Sequence, residues 1–214
     1  MDWDIDYKWF GLKSYSEGLS LQNEQREKVK ASSKVFLVGL EHSEVITLGI
    51  RSHKDKDLLS LSSQYEVVKA QRGGHATVHN PGQLIIYPIV PLRFLELGVR
   101  DFVCLLIKTT KEFFKDYGIE TFEKEEPGLF TEKGKIALFG IQVKHGVSQH
   151  GLSINISNDL QSFKNIPVCN VKNEPMDKLS NYADNLPLEE LFEKWVRIFK
   201  KNLVTCVMHK ISNA

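Results

Sequence analysis

Arg72-Gly73-Gly74-His75-Ala76-Thr77-Val78-His79-Asn80-Pro81-Gly82-Gln83 sets a polar, glycine-rich turn directly before an apolar run, Leu84-Ile85-Ile86-Tyr87-Pro88-Ile89-Val90. Adjacent glycines permit positive φ or close approach of the backbone to a bound molecule. Arg72, His79 and Gln83 are polar anchors at the edge of an apolar strand, a mixture that suits a ligand with a polar head and an apolar tail. The same residues also suit a plain hairpin connection with a solvated arginine. The stretch lacks the phosphate-cradling pattern of a P-loop.

Working outward, residues 83–90 read as a strand that ends or reaches a sheet edge near Pro88. Residues 101–117 follow with apolar positions mostly at helical spacing (Phe102, Leu105, Leu106, Phe113, Phe114, Tyr117), and Gly118 sits where a C-terminal cap belongs. Short strand-like pieces come next at 119–122, 129–131, 135–143 and 151–156. An amphipathic helix is expected from Pro187, with Leu188, Leu191, Phe192, Trp195 and Phe199 on its apolar face, and residues 203–208 read as a closing strand. Toward the N-terminus, 7–12 reads as a strand. Ser14 and Glu17 form a capping-box pattern for a helix running to about Ala31. Residues 34–40 and 45–48 read as strands paired around a Glu41-His42-Ser43 turn, and 65–69 as a further short strand. Residues 170–186 are polar and patternless. Strand and helix do not alternate regularly, which disfavours a doubly wound parallel sheet. The expected class is α+β: one domain over residues 1–214, with mixed or antiparallel sheets packed against helices.

The 28 basic and 27 acidic residues leave a formal charge of +1, and no basic run is interleaved with aromatics. Nucleic acid is therefore not an expected partner. No run of 18 apolar residues is present to span a membrane, and the acidic start Met1-Asp2-Trp3-Asp4-Ile5-Asp6 does not resemble a secretory signal. Cysteine occurs only at 104, 169 and 206. That odd, sparse set argues against a disulfide framework and a zinc site. A cytoplasmic protein with free thiols, no metal and no cofactor is expected.

Two other segments can carry chemistry. In Lys133-Gly134-Lys135-Ile136-Ala137-Leu138-Phe139-Gly140, Lys135 opens an apolar strand; taken alone, it reads as a solvated edge residue. In Ile166-Pro167-Val168-Cys169-Asn170, Cys169 sits in a turn-like context outside any apolar face. Cys104 in a helix and Cys206 in a strand fit the usual role of a free cysteine as a small buried hydrophobe. Cys169 fits that role less well, and a loop thiol beside a positive charge is what a nucleophile requires.

In order along the chain, these segments resemble the lipoyl(octanoyl) transferases, the lipoate-protein ligase B family. That family reads Arg-Gly-Gly-x-x-Thr-x-His-x-Pro-Gly-Gln, found here at 72–83. It continues with Pro-Gly-hydrophobic at 127–129, Lys-Ile-Ala-x-x-Gly at 135–140, His-Gly-x-x-x-Asn at 150–155 and Phe-x-x-Ile-x-x-Cys at 163–169. The motifs span 72–169. The chain departs from the pattern at Asn80, where Gly is usual, and around the cysteine, where Val168 and Asn170 replace Pro and Gly and Pro167 falls one place early. Asn tolerates left-handed backbone almost as Gly does.

The resemblance implies the fold of the biotin/lipoate protein ligase catalytic domain. It implies transfer of an octanoyl group from octanoyl-acyl carrier protein to a lysine of apo lipoyl domains, those of 2-oxoacid dehydrogenase E2 subunits and of the glycine cleavage H protein. Carried over by position, Cys169 is the nucleophile and Lys135 the acid/base. Arg72, Gly73, Gly74, His75, Ala76, Thr77, Val78 and His79 line the acyl pocket. Leu138, Phe139 and Gly140, with Gly151, Leu152 and Ser153, bind substrate, their backbone N–H groups facing the oxyanion. Three alternatives stay open on the residues alone: an ATP-dependent lipoate or biotin ligase of the same superfamily, a non-catalytic binder of lipoyl groups or domains, and a cysteine hydrolase pairing Cys169 with His79 or His150.

Overall fold

The computed structural model describes residues 5–30, 34–52, 65–125, 128–166, 174–184 and 187–212. Its strands are β1 (Ile5–Lys13), β2 (Val35–His42), β3 (Val45–Leu48), β4 (Val67–Lys69), β5 (Ala76–His79), β6 (Gln83–Ile89), β7 (Leu129–Thr131), β8 (Gly134–Lys144) and β9 (Val147–Asn155). Its helices are α1 (Tyr15–Lys30), α2 (Val99–Lys115) and α3 (Leu188–Ser212). A six-stranded sheet runs in the order β1-β2-β6-β9-β8-β7, and a three-stranded sheet in the order β4-β3-β5. Both are mixed: β1 is parallel to β2 and β3 to β4, whereas the other pairings are antiparallel.

The apolar run after the glycine-rich stretch is β6, buried on both faces. Leu84 and Ile86 join the large core formed with Phe102, Phe113, Phe192 and Trp195 of α2 and α3. Ile85, Tyr87 and Ile89 point the other way, into a cluster with Val29 of α1. A strand covered on both faces has no polar side, which is why its sequence does not alternate. Pro88 lies beyond the last β6–β9 pair, Ile86 with Leu152, where a missing N–H is tolerated. Helix α1 opens on the expected capping box. The Ser14 hydroxyl accepts the Glu17 N–H at 3.3 Å, and the Glu17 carboxylate accepts the Ser14 N–H at 2.8 Å.

Four sequence expectations are corrected. β2 and β3 do not pair with each other, because they belong to different sheets; the 43–44 connection carries the chain from one layer to the next. The glycine-rich stretch from Arg72 is not all turn, since β5 lies within it. Residues 119–122 form no strand beyond one bridge from Phe122 to Phe130. Residues 203–208 are helical, continuing α3. Leu203 and Val207 extend the buried face of Val196 and Phe199, and Asn202 donates to Glu112 of α2 at 3.1 Å. Six apolar-rich residues cannot by themselves separate strand from helix. Cys206 is accordingly in a helix and half-buried, while Cys104 is exposed on α2 rather than buried. Among the described residues no helix is long and apolar enough to cross a membrane.

Candidate active site

A cavity of about 620 Å³, counting its open mouth, lies where the two sheets meet. The glycine-rich stretch forms one wall, through Arg72, Gly74, His75, Ala76, Thr77 and His79. The opposite wall comes from the paired strands β8 and β9, through Leu138, Phe139, Gly140, Gly151, Leu152 and Ser153. Gly73 and Val78 were expected here and do not line it. Val78 faces an apolar cluster with Ile46 and Phe163, the strand alternation having turned it away from Thr77 and His79. Gly73 instead ties the stretch to β8, its N–H donating to the Ile141 carbonyl at 3.0 Å. Tyr15, Arg51, Ile85, Tyr87 and His150 also line the cavity. Only His150 belongs to a motif quoted above. The others come from the start of α1, the β3 exit and β6, and nothing in their local sequence marks them.

Two glycines make the close approach possible. Gly140 and Gly151 face each other across β8 and β9. A Cβ on Gly151 would stand 2.2 Å from the Ile86 carbonyl oxygen, and one on Gly140 would stand 3.2 Å from the Arg72 Cδ and the Gly73 oxygen. The main chain at 152–153 has β6 on one side and β8 on the other. Its N–H groups are therefore committed to ladder bonds, and an oxyanion role for them does not follow from this geometry.

Arg72 is buried. Its Nη2 donates to the Thr47 carbonyl at 2.7 Å and to the Thr47 hydroxyl at 2.8 Å, and its Nη1 to the Gly73 carbonyl at 3.0 Å. Around this cation the imidazoles are neutral. His79 is pushed down to about 3, first by burial and then by repulsion from the neighbouring His42, were both rings protonated, and from the Arg72 cation. His150 is pushed down to about 4 by burial and by Arg72, and burial likewise lowers His42. Burial raises the phenols of Tyr15 and Tyr87, so both keep their protons. Partners assign the tautomers. His42 Nδ1 lies 3.0 Å from the Lys13 carbonyl and so donates, leaving Nε2 to accept the Tyr87 hydroxyl at 2.6 Å. The Gln83 amide nitrogen donates to the Asn155 Oδ1 at 2.9 Å, so its oxygen accepts His79 Nδ1–H at 2.7 Å. His79 therefore keeps Nε2 as an acceptor. The cavity has apolar sides, and its histidines and tyrosines are neutral, leaving Arg51 and Arg72 as the cations in its lining.

Lys135 does not line this cavity. It is fully buried, and its Nζ has no hydrogen-bond partner among the described residues. The Nζ sits 4.9 Å from the centre of the Phe130 ring. Its stem passes under Gly128, where a Cβ would come within 2.8 Å of the lysine Cε. The main chain of Lys135 is gripped on the side away from β7, past the end of β9: its N–H donates to the Pro175 carbonyl at 2.7 Å, and its carbonyl accepts the Asp177 N–H at 2.9 Å. Asn155 Nδ2 donates to the Asp177 carbonyl at 3.0 Å and to the Lys135 carbonyl at 3.4 Å. A buried chain of amides, Asn155 and Gln83, thus joins the Lys135 backbone to His79. Cys169, with Pro167, Val168 and Asn170, lies outside the described residues.

Residues 14–200 match the family model described as the lipoyl protein ligase A/B catalytic domain. The chain is 37% identical over 173 residues to an octanoyltransferase of Cellvibrio japonicus, covering 79% of this chain and 80% of that one. It is 34% identical over 190 residues to an octanoyltransferase of Pseudomonas savastanoi, covering 87% and 82%. Among solved structures it resembles an ATP-bound lipoate-protein ligase A, with a TM-score of 0.71 and 13% identity over 95% of this chain and 86% of that one. It also resembles the biotin protein ligase of Aquifex aeolicus, with a TM-score of 0.57 and 11% identity over 97% and 72%. These structural likenesses bear on the fold alone. With the family model and the relatives in agreement, the chain belongs to the lipoyl protein ligase A/B catalytic-domain family, alongside its octanoyltransferases.

Proposed function

We propose that octanoyl transfer runs in this chain through an acyl thioester on Cys169, with Lys135 handling the protons. The donor is octanoyl-acyl carrier protein, and the acceptor is a lysine of an apo lipoyl domain, in 2-oxoacid dehydrogenase E2 subunits or the glycine cleavage H protein. The observation that supports this most is Lys135 itself. A lysine amine buried without a hydrogen bond costs stability, so its place at the start of β8, three residues before the cavity-lining Leu138, has a functional rationale.

The chemistry balances without ATP. The Cys169 thiolate attacks the donor thioester, the carrier C–S bond breaks, and the departing carrier thiolate takes its proton from the Lys135 ammonium, so one thioester replaces another. The acceptor amine then attacks acyl-Cys169, an amide forms, and the C–S bond breaks. The proton shed by the amine passes to Lys135 and returns to the departing thiolate. The apolar sides of the cavity hold the eight-carbon chain, and each buried methylene contributes roughly 0.8 kcal/mol.

Intact-mass measurement after mixing with octanoyl-acyl carrier protein is expected to show an octanoyl adduct on the native chain and none on Cys169→Ser. Lys135→Arg is expected to fold normally and transfer at less than a hundredth of the native rate, because Arg does not release a proton. An adduct persisting on Cys169→Ser removes the cysteine from its role, and near-native turnover by Lys135→Arg removes the lysine. Product formed from free octanoate plus ATP would instead favour the ligase chemistry.

A further inference from the structure

The Asp177 carboxylate has no part in the transfer steps above, yet it is buried and has four donors. It accepts from the Thr131 hydroxyl of β7, from the Tyr182 hydroxyl at 2.5 Å, from Asn181 Nδ2 at 2.6 Å and from the Lys178 N–H at 2.9 Å. Burial alone would raise its pKa, but these bonds outweigh burial and hold it below the usual carboxylate range. The carboxylate is therefore charged and fixed at neutral pH.

What it fixes is the segment that grips Lys135. Pro175 and Asp177 take both main-chain hydrogen bonds of Lys135, on the side opposite β7, and Met176 bridges to Lys135 in parallel register. Contact is so close at the β7–β8 turn that a Cβ on Gly134 would stand 2.4 Å from the Pro175 oxygen. Thr131 belongs to β7, the strand that carries Phe130 against the lysine, while Asn181 and Tyr182 belong to the turn after the segment. One carboxylate thus locks the strand below Lys135, the segment beside it and the turn that follows. Among the described residues no oxygen lies within hydrogen-bond reach of the lysine Nζ, so the direction of the side chain is set through its backbone and stem rather than through an ion pair.

We infer that Asp177 is a positioning residue for acyl transfer, holding residues 175–177 as a short strand against Lys135 and thereby fixing where the lysine amine points. This rests on the assignment of Lys135 as the proton carrier. Productive proton transfer tolerates little misplacement of the carrier, so loosening the clamp lowers the chemical rate and leaves donor binding in the main cavity intact.

A double-mutant cycle tests this, using single-turnover octanoyl transfer from octanoyl-acyl carrier protein to an apo lipoyl domain. Asp177→Asn is expected to slow transfer 10- to 100-fold in the native background, with the donor concentration for half-maximal rate changed less than twofold. In the Lys135→Ala background the same substitution is expected to change the rate less than twofold, since there is no amine left to misplace. Tyr182→Phe removes one donor from a half-exposed position and is expected to give a smaller loss, about threefold, with the same dependence on Lys135; it serves where Asp177→Asn lowers the melting temperature into the assay range. Equal slowing in both backgrounds overturns the positioning role, because a general loss of structure is independent of Lys135. So does a native rate for Asp177→Asn while Lys135→Ala is impaired. A native rate for Lys135→Ala instead overturns the Lys135 assignment itself.

Discussion

His79 and His150 are buried beside the Arg72 cation, and that makes the fold sensitive to acid. An unfolded chain takes up a proton at each imidazole as pH falls through about 6.5. In the folded chain His79 resists protonation down to about 3 and His150 down to about 4. Between these limits the unfolded state binds more protons, so acid favours unfolding. The contribution of both residues is complete above pH 6.5 and is lost as pH falls toward their folded values. At pH 5 the loss is about 2 kcal/mol for each, or about 4 kcal/mol together. Urea midpoints at pH 7.5 and pH 5 are expected to differ accordingly, and His79→Gln, which can still bond Gln83, is expected to remove about half of the difference. A variant with the native pH dependence would show that His79 is not the group responsible. At neutral pH the uncharged imidazoles add no further charge to a cavity already lined by Arg51 and Arg72, so the same burial that makes the fold acid-sensitive keeps the cavity walls near His79 and His150 uncharged.

Among the elements, β9 bears the tightest constraint. Gly151 sits where the Ile86 carbonyl and the Pro88 ring of the neighbouring strand leave no room for a methyl group, with contacts of 2.2 and 2.5 Å. Neither neighbour can rotate away, so Gly151→Ala must push β9 off β6 at the cavity wall. Overpacking of this kind costs roughly 2–3 kcal/mol, a fall in Tm of about 4–10 °C for a chain of this size. Gly140→Ala, whose nearest contacts are at 3.2 Å and include the Arg72 side chain, is expected to cost less than half as much. Equal melting temperatures for the two variants would contradict this ordering. The two glycines were legible from the sequence because they stand in ordered motifs. The pairing of β2 and β3 was misread because a short connection between apolar segments looks the same whether the chain turns back within one sheet or crosses into another. The end of α3 was misread because its helical partner, Glu112 on α2, lies far away in sequence. Tyr15 and Tyr87 looked like ordinary helix-start and strand residues, and their place at the cavity follows only from the packing of α1 over β6. Asp177 lies in a stretch with no periodicity, and its role is visible only once Thr131 and Tyr182 are brought to it.

At the scale of the molecule, the cavity exists because two mixed sheets are held together, and Arg72 is the side chain that holds them. It reaches Thr47 in the middle strand of the small sheet, while Gly73 beside it is bonded to β8 of the large one. Lysine at this position keeps the charge but cannot present a planar fork to the Thr47 carbonyl, the Thr47 hydroxyl and the Gly73 carbonyl together. Losing charge-assisted bonds in a buried site costs about 2–3 kcal/mol, so Arg72→Lys is expected to lower Tm by roughly 4–10 °C. The functional effect follows from the same loosening. Octanoyl has two more methylenes than hexanoyl, worth roughly 1.6 kcal/mol when fully enclosed, so the native chain should prefer the octanoyl donor by about 15-fold in kcat/KM. A cavity whose walls are free to separate encloses those methylenes less completely. The preference is therefore expected to fall to about threefold in Arg72→Lys, measured with hexanoyl- and octanoyl-acyl carrier protein side by side. A variant that melts lower and keeps its full preference would separate the two effects, making Arg72 a clamp for the fold and leaving the choice of chain length to the walls of β8 and β9 alone.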